Sequence, residues 1–252
     1  MRSRQGTTAV VFGVVAGLVY GCGTGPIQAV GLDPDPLAPG VVAHWRFDDG
    51  SGISLADASG NHHDGAIVGS TWSWTAGHFG GALHFEQGDY VSVDGFPDAT
   101  SGWTVAAWVQ IPSQVASAGD ATLISTEDAL KGGWELLVTS SKYHFGFWTG
   151  IPTLNDYAYA ECSNCIHPDL WQHLAAVVDG NAMTLALYLD GELQTRNSIP
   201  KLISPGVPTL NMGRWATTNP ARPLVGSLDD VAIWNRALSA DEIALLVEAP
   251  AP

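Results

Sequence analysis

The stretch Trp171–Gly191, WQHLAAVVDGNAMTLALYLDG, decides the fold of this 252-residue chain. It holds two apolar runs, and each run ends on an Asp-Gly pair, Asp179-Gly180 and Asp190-Gly191. Such pairs between alternating residues are typical of β-hairpin turns. In the second run leucines take every other position from Thr184 to Leu189, a period of two that indicates a strand and not a helix. The stretch therefore predicts a hairpin followed by a second turn.

The first of these runs, Leu174–Val178, is apolar on both sides, so we expect this strand to be covered on both faces. This favours the middle of a sandwich of two antiparallel sheets, with further strands added outward on either side. Other short runs separated by turn signals predict strands at Val41–Phe47, Tyr90–Val93, Thr104–Ile111, Thr122–Ser125, Trp134–Thr139, Tyr143–Trp148, Thr209–Arg214 and Gly226–Trp234.

One short helix is predicted at the C-terminal end. Ser239 followed three residues later by Glu242 forms a capping box, and Leu238 with Ile243 would form the hydrophobic staple across it. The fold class predicted from these patterns is all-β with one short C-terminal helix.

The first 21 residues have the layout of a bacterial secretion signal. Arg2 and Arg4 precede an uncharged run from Thr7 to Tyr20, and Gly21-Cys22 ends it. This end resembles a lipobox, so we interpret 1–21 as a lipoprotein signal peptide and Cys22 as the lipidated residue; the alternative is a transmembrane anchor. The Gly- and Pro-rich 22–40 then reads as a flexible tether, and 41–252 as one domain. The expected location is the bacterial cell envelope, at the outer membrane or the cell surface.

The excess of acidic residues limits the classes of partner that we expect for this chain. The chain has 25 Asp and Glu residues against 10 Lys and Arg, a formal net charge of −15. Such a body repels phosphate backbones and anionic lipids, so we expect no nucleic-acid binding and attachment to membranes through the N-terminal lipid alone.

A series of short motifs runs in order from Val41 to Val247. They are Trp45-x-Phe47-Asp48, Asp57-x-Ser59-Gly60-Asn61-x-x-x-Gly65, Gly80-Gly81-Ala82-Leu83-x-Phe85, Tyr90-Val91, Thr104-Val105-x-Ala107-Trp108, Trp171-x-His173, Tyr188-x-Asp190-Gly191, Gly226-x-Leu228-Asp229-Asp230-Val231 and Asn235-Arg236-Ala237-Leu238-Ser239. Their order and spacing resemble the laminin-G-like, concanavalin-A-like jelly rolls, relatives of the pentraxins and legume lectins. The resemblance implies a two-sheet antiparallel jelly-roll sandwich with one concave sheet, and ligands on that face or at the loops along one edge.

The resemblance also implies one structural Ca²⁺ between an early loop and the last strand. Its ligands would be Asp48, Asp57 and Asp229 with carbonyls near Asn61, and oxygen ligands of this kind suit hard cations. The alternative is that Asp57 and Asn61 only shape an Asx-type turn. We interpret His62-His63-Asp64 as a surface turn and not a zinc site, because adjacent side chains on an extended loop diverge.

Catalytic signatures are missing from the sequence. Relatives of the laminarinase type carry Glu-x-Asp-x-x-Glu or Glu-x-Asp-x-Glu on one strand, which sets two carboxylates about 5 Å apart. Here Glu127-Asp128, Glu161 and Asp229-Asp230 stand without such partner acids, and no G-x-S-x-G motif is present. We therefore predict no catalytic residues.

Two thiols remain if Cys22 carries lipid. Cys162 and Cys165, followed by His167, have a spacing that zinc or redox sites also use. In a secreted chain a short-loop disulfide, pinning an irregular segment from Tyr157 to Pro168, is the favoured interpretation.

The aromatic residues divide into core and candidate ligand-binding residues. Trp45, Trp108 and Trp171 fall in the family's core patterns. The candidates lie near strand ends or Gly- and Pro-rich loops, where sugars could stack on exposed rings: Trp72, Trp74, Trp148, Trp215, Tyr157 and Tyr159. Of these we select Trp148, Tyr157 and Trp215 as ligand-binding residues.

The sequence thus predicts a lipid-anchored, non-catalytic surface recognition module for polysaccharide, glycoprotein or another glycoconjugate. The alternative is a protein-binding adhesion or envelope-assembly module, and a polysaccharide hydrolase or lyase is less favoured, because one fold hosts all three classes.

Overall fold

The computed structural model describes residues 37–97, 101–116, 120–126, 132–139, 141–148, 157–202, 208–215 and 222–252. The predicted signal peptide 1–21, Cys22 and most of the predicted tether 22–40 lie outside the described residues, and so does the side chain of Trp148. These predictions stay predictions.

Strands dominate the described part of the chain. In chain order its elements are β1 (Val41–Trp45), β2 (Ser54–Leu55), β3 (Gly65–Val68), β4 (Ser73–Ala76), β5 (Gly81–Phe85), β6 (Tyr90–Asp94), β7 (Gly102–Gln110), α1 (Ser113–Ala116), β8 (Ala121–Ser125), β9 (Trp134–Thr139), β10 (Lys142–Trp148), β11 (Tyr157–Ser163), β12 (Trp171–Asp179), β13 (Thr184–Leu189), β14 (Glu192–Ser198), β15 (Thr209–Met212), β16 (Gly226–Trp234) and α2 (Ala240–Glu248).

These strands form two sheets. The first sheet has the order β14-β13-β12-β7-β16-β5-β4, with β1 also paired to β16, and the second has the order β11-β10-β9-β8-β15-β6-β3-β2. The pairings are antiparallel within both sheets. The two-sheet antiparallel sandwich is therefore confirmed.

The central hairpin is confirmed. β12 pairs with β13 from Leu174↔Leu189 to Asp179↔Thr184 and with β7 along its whole length. At the second turn Asp190 and Gly191 have φ of 49° and 82°, the two positive values that a type I′ turn requires. β14 then returns along β13.

The two faces of β12 enter different hydrophobic clusters. Leu174, Ala176 and Val178 belong to the core between the sheets, whereas Ala175 and Val177 lie in a second cluster with residues of α2. The helix covers the outer face of the first sheet, which explains why this strand is apolar on both sides.

Helix α2 begins as predicted. The Ser239 Oγ accepts the Glu242 N–H, and the Ser239 N–H donates to the Glu242 carboxylate at 2.8 Å, so the capping box is confirmed. Leu238 and Ile243 are both buried, as the staple requires. No helix in the described ranges is long and apolar enough to span a membrane.

The segment from Tyr157 to Pro168 was wrongly predicted as irregular. Its first half is strand β11, which pairs with β10 from Trp148↔Tyr157 to Lys142↔Ser163. The prediction failed because the polar, exposed residues of β11 alternate with only small buried ones, Ala158, Ala160 and Cys162. Side chains of the other sheet cap its free edge: Thr195 Oγ1 donates to the Glu161 carbonyl at 2.6 Å.

Candidate functional site

A row of polar residues crosses the outer face of the second sheet. In β9 the side chains of Trp134 and Leu136 belong to the core, so alternation turns Glu135 outward. The backbone register places Glu135 beside Ser125 of β8 and Gly146 of β10. The same register continues across six strands through Ser92, Asn211, Ser125, Glu135, Gly146 and Tyr159. Six strands thus contribute to one row on this face, in which Ser125, Glu135 and Asn211 are buried.

Tyr157 lies across this row. The His144 Nε2 is 2.8 Å from the Tyr157 hydroxyl, which donates to the Glu135 Oε1 at 3.0 Å. The phenol occupies the space that a side chain would take at Gly146, since a Cβ there would stand 2.0 Å from the Tyr157 oxygen. Gly146 is therefore the residue that lets Tyr157 reach Glu135.

Arg222 extends the network to Trp215. The Arg222 Nη1 donates to the Glu135 Oε2 at 2.9 Å, and its Nε lies 3.5 Å from the Asp120 carboxylate. The Arg222 guanidinium also lies over the Trp215 ring, 5.0 Å from the centroid, a cation–π distance. The structure therefore brings two predicted ligand-binding residues, Tyr157 and Trp215, to one surface, which we call the polar–aromatic face. It comprises His144, Tyr157, Tyr159, Glu135, Arg222 and Trp215, with the charged side chains of Asp120, Lys142 and Glu161 paired along it.

Three rings at one end of this face are nearly parallel. The His144 ring lies 5.9 Å from the Tyr157 ring and 5.3 Å from the Tyr159 ring, with interplanar angles of 8° and 17°. Tyr159 is 48% exposed, so solvent reaches this end. Trp148, the third predicted residue, pairs through its backbone with Tyr157.

The charges of the face are paired with one another. Lys142 Nζ donates to the Glu161 carboxylate at 2.8 Å, and this hydrogen bond holds the Glu161 pKa below its usual range. Burial lowers the pKa of His144, so this imidazole is neutral at neutral pH. Glu135 is only 5% exposed, and a buried carboxylate of this kind depends on its partners.

One acceptor in the row has no partner. The Asn211 side chain is 1% exposed, and its Oδ1 has no hydrogen bond within the described ranges. Such buried unpartnered atoms are rare in folded proteins and call for an explanation.

Two of the predicted calcium ligands shape a loop. The Asp57 carboxylate accepts the N–H groups of His44, Ser59 and His63 at 2.9–3.0 Å. Burial alone would raise its pKa, but these hydrogen bonds outweigh it and hold the pKa below the usual range. The Asn61 amide donates to the carbonyls of β1, so the turn interpretation describes both residues.

The other two, Asp48 and Asp229, meet at one loop, 77–81. Asp48 Oδ1 accepts the Gly81 N–H at 2.7 Å, and Asp229 Oδ2 accepts the Phe79 N–H at 2.8 Å. Asp229 Oδ1 is buried without a partner, and burial raises the Asp229 pKa to about 7. Across the described residues no group of three His, Cys, Asp or Glu side chains could hold a metal ion. A cation at this loop would thus need backbone carbonyls besides Asp48 and Asp229, and calcium stays a prediction.

A second row lies on the outer face of the first sheet. His173, Trp108 and Asp229 are direct neighbours on β12, β7 and β16, and each is at most 4% exposed. His78 stacks on Trp108 with ring centroids 3.4 Å apart. Burial, and to a lesser extent His78, lowers the His173 pKa to about 3. We call His173, Trp108 and Asp229 the covered row.

Cys162 and Cys165 are joined by a disulfide, as predicted. Both residues are buried, and Cys162 lies among the core residues of β11. The loop that they close begins where β11 ends, so the disulfide fixes the exit of the strand that carries Tyr157.

The tryptophans differ in how far they are buried and in where they pack. Trp45 is fully buried in the core as predicted, and Trp108 is buried in the covered row, whereas Trp171 is partly exposed. Trp72 and Trp74 pack against the core, which makes them packing residues.

Glu135, His144 and Arg222 were missed by the sequence analysis. Glu135 and His144 each interrupt an apolar run, in Trp134-Glu135-Leu136 and Tyr143-His144-Phe145, and alternation would have placed both on the outer face. Arg222 carries no such signal.

The comparisons with known proteins support the fold. Domain 4 of AbnA, an extracellular arabinanase from Geobacillus stearothermophilus, in complex with arabinotriose, aligns with a TM-score of 0.65 at 20% identity, covering 82% of this chain and 98% of that domain. The binding domain of botulinum neurotoxin serotype D aligns with a TM-score of 0.65 at 15% identity, covering 85% of this chain and 53% of that one. At these identities the likeness concerns the fold alone.

The sequence comparison adds one curated relative. The mouse (Mus musculus) protein "Sushi, von Willebrand factor type A, EGF and pentraxin domain-containing protein 1" is 28% identical over 173 residues, which are 62% of this chain and 4% of that protein. The chain thus spans a small part of that relative. Residues 85–244 match the Laminin_G_3 family, described as concanavalin A-like lectin/glucanases superfamily. Because this match covers more than half of the chain, the protein belongs to the Laminin_G_3 family of concanavalin A-like domains.

Proposed function

We propose that the polar–aromatic face binds carbohydrate without cleaving it. The observation that carries this proposal is the chain of contacts from Tyr157 through Glu135 and Arg222 to Trp215. Sugars present apolar C–H surfaces to aromatic rings and hydroxyl groups to fixed polar side chains, and this face offers both in a rigid arrangement.

The solved neighbours support a recognition role. One is a domain of an arabinanase in complex with arabinotriose. Another is the binding domain of botulinum neurotoxin DC in complex with SialylT, with a TM-score of 0.67 at 14% identity, and the same domain is known in complex with rat synaptotagmin II. These ligands favour a polysaccharide or a glycoprotein as partner for this chain.

Recognition is favoured over hydrolysis by the surroundings of Glu135. Its two oxygens accept hydrogen bonds from Tyr157 and Arg222, and its cross-strand neighbours are Ser125 and Gly146. A retaining glycosidase needs a second carboxylate about 5 Å away that can attack the substrate. The other carboxylate of this network, Asp120, is paired with the same Arg222 guanidinium as Glu135, an arrangement that suits a fixed binding surface.

Titration of the chain with arabinotriose and other oligosaccharides, followed by tryptophan fluorescence, tests the proposal. A shallow site with a few rings should bind at micromolar to millimolar concentrations, about −8 to −4 kcal/mol. Tyr157→Phe should weaken binding, because it removes the hydroxyl that donates to Glu135. Tyr188→Phe is the matched control, since the Tyr188 hydroxyl accepts from Arg196 at the first sheet.

Product analysis after long incubation separates the alternatives. Released oligosaccharide would make the protein a hydrolase or lyase. Silence on a broad glycan array, beside capture of one envelope protein, would make it an adhesion or assembly module.

Two further features are proposed from the sequence. The sequence predicts calcium at Asp48, Asp57 and Asp229 with carbonyls near Asn61; since Asp57 and Asn61 hold a turn, we propose Asp48 and Asp229 at the 77–81 loop as its side-chain ligands. Lipid on Cys22 would hold the domain at the outer membrane or cell surface of a bacterial envelope. Intact mass of membrane-extracted protein tests the second feature: a species that retains Met1, or a Cys22 without acyl chains, would contradict it.

A further inference from the structure

The charges of the polar–aromatic face bear on which glycan it accepts, an inference that rests on the proposed function. Arg222 is held by Glu135 and Asp120, and Lys142 is held by Glu161. Among the residues that the structure describes on this face, three carboxylates therefore surround two cations. Both cations already have carboxylate partners at 2.8–2.9 Å, so a carboxylate or sulfate on a ligand would have to compete for them.

His144 adds no compensating charge. Its ring stands beside Tyr157, but burial lowers its pKa, so the neutral form prevails at neutral pH. The whole chain carries a net charge of −15, and this field also repels an approaching anion.

We infer that the polar–aromatic face selects uncharged glycans and discriminates against uronic, sialic and sulfated ones. The discrimination comes from like-charge repulsion at Glu135, Glu161 and Asp120, whose cation partners are already engaged.

The test uses matched ligand pairs: a neutral oligosaccharide that binds, and the same oligosaccharide with one primary hydroxyl oxidised to a carboxylate. We expect the acidic member to bind the full chain at least about tenfold more weakly at low salt, a difference of about 1.4 kcal/mol. Raising the ionic strength from about 0.01 M to about 0.15 M shortens the Debye length from about 30 Å to about 8 Å. The acidic member should then gain affinity while the neutral member changes little.

Two variants change the discrimination in opposite directions. Glu161→Gln frees Lys142 and should narrow the gap between the two ligands, whereas Lys142→Gln should widen it. Both residues are about one-third exposed, so both variants should fold.

The outcomes are distinct. Equal or tighter binding of the acidic member, weakened by salt, overturns the inference and leaves carbohydrate binding in place. No binding of any neutral or acidic glycan overturns the proposed function, and the inference with it.

Discussion

On the outer face of each sheet a row of polar and aromatic side chains runs across the strands. The two rows differ in whether their buried polar groups have hydrogen-bond partners. In the polar–aromatic face Glu135 is held by Tyr157 and Arg222, and the rim stays open to solvent. In the covered row Asp229 Oδ1 and His173 Nδ1 are buried without partners.

This difference indicates which of the two rows is suited to binding a ligand. Polar groups that hydrogen-bond one another can stay close to solvent, and those at the exposed rim can exchange water for a ligand. Buried polar groups without partners shift their pKa values instead, as His173 and Asp229 do. The first arrangement suits recognition, and the second ties fold stability to pH and to any cation at the 77–81 loop.

The largest expected effect is on the pH dependence of stability in the covered row. The His173 pKa is about 3 in the folded state against 6.5 for an unperturbed histidine, so the unfolded state binds more protons between these pH values. Stability from His173 is therefore present above pH 6.5 and lost as the pH falls toward 3. Asp229 acts with the opposite sign, because its raised pKa of about 7 makes stability fall as the pH rises from about 4 to 7.

In the wild type His173 makes the free energy of unfolding rise with pH and Asp229 makes it fall. These two contributions should nearly cancel between pH 4 and 6.5. His173→Gln should uncover the Asp229 slope, a fall of about 4 kcal/mol in the free energy of unfolding between pH 4 and 7. Urea unfolding in chelator at several pH values measures it. His167→Gln, at an exposed position, is the control and should leave the profile close to wild type; a His173→Gln profile parallel to wild type would rule the account out.

Calcium should have the next largest effect. If Ca²⁺ binds through Asp48 and Asp229, a hundredfold excess over its dissociation constant stabilises the fold by about 2.7 kcal/mol. The thermal midpoint should rise with Ca²⁺, and Asp229→Asn should abolish the rise. Asp57→Asn is the informative comparison: as a loop-shaping residue it should lower stability and keep the calcium shift. Equal midpoints in calcium and chelator would remove the ion from the account.

A smaller effect separates buried from exposed ion pairs within the polar–aromatic face. Glu135→Ala removes the buried carboxylate that accepts from both Arg222 and Tyr157 and should cost about 2 kcal/mol, because Asp120 and His144 remain as partners but the buried hydrogen bonds to Glu135 are lost. Glu161→Ala removes an acid of the same type from a one-third-exposed pair and should cost less than about 1 kcal/mol. Chemical denaturation of both variants measures the difference, and similar losses would contradict the assignment of Glu135 as the centre of the network.

The sequence predicts the strands far better than it predicts this network. The period of two in β12 and β13 and the Asp-Gly turn are local, so the hairpin and the capping box of α2 could be read directly. Glu135 and Arg222 are 87 residues apart, and their contact depends on which strands become neighbours. Tyr157 and Trp215 were selected as exposed loop aromatics, but Tyr157 lies in strand β11. The core-facing residues of β11 are small, so the alternation that marks a strand is hard to recognise in its sequence.

The glycine in that strand provides the smallest and most specific test. Gly146 has an ordinary backbone conformation, so Ala is accepted by the chain itself, but its Cβ would stand 2.0 Å from the Tyr157 oxygen. Tyr157 is only partly buried and can swing outward, which should cost about 1 kcal/mol through its lost hydrogen bonds. Because that Cβ would also stand 2.3 Å from the Tyr157 ring carbon Cζ, the whole ring must move, so glycan affinity should fall as far as in Tyr157→Ala. The double variant Gly146→Ala/Tyr157→Ala should fall no further than Tyr157→Ala, because both changes remove the Tyr157 ring from the face. Additive losses in the double variant would mean that Gly146 acts on the ligand directly and not by positioning Tyr157.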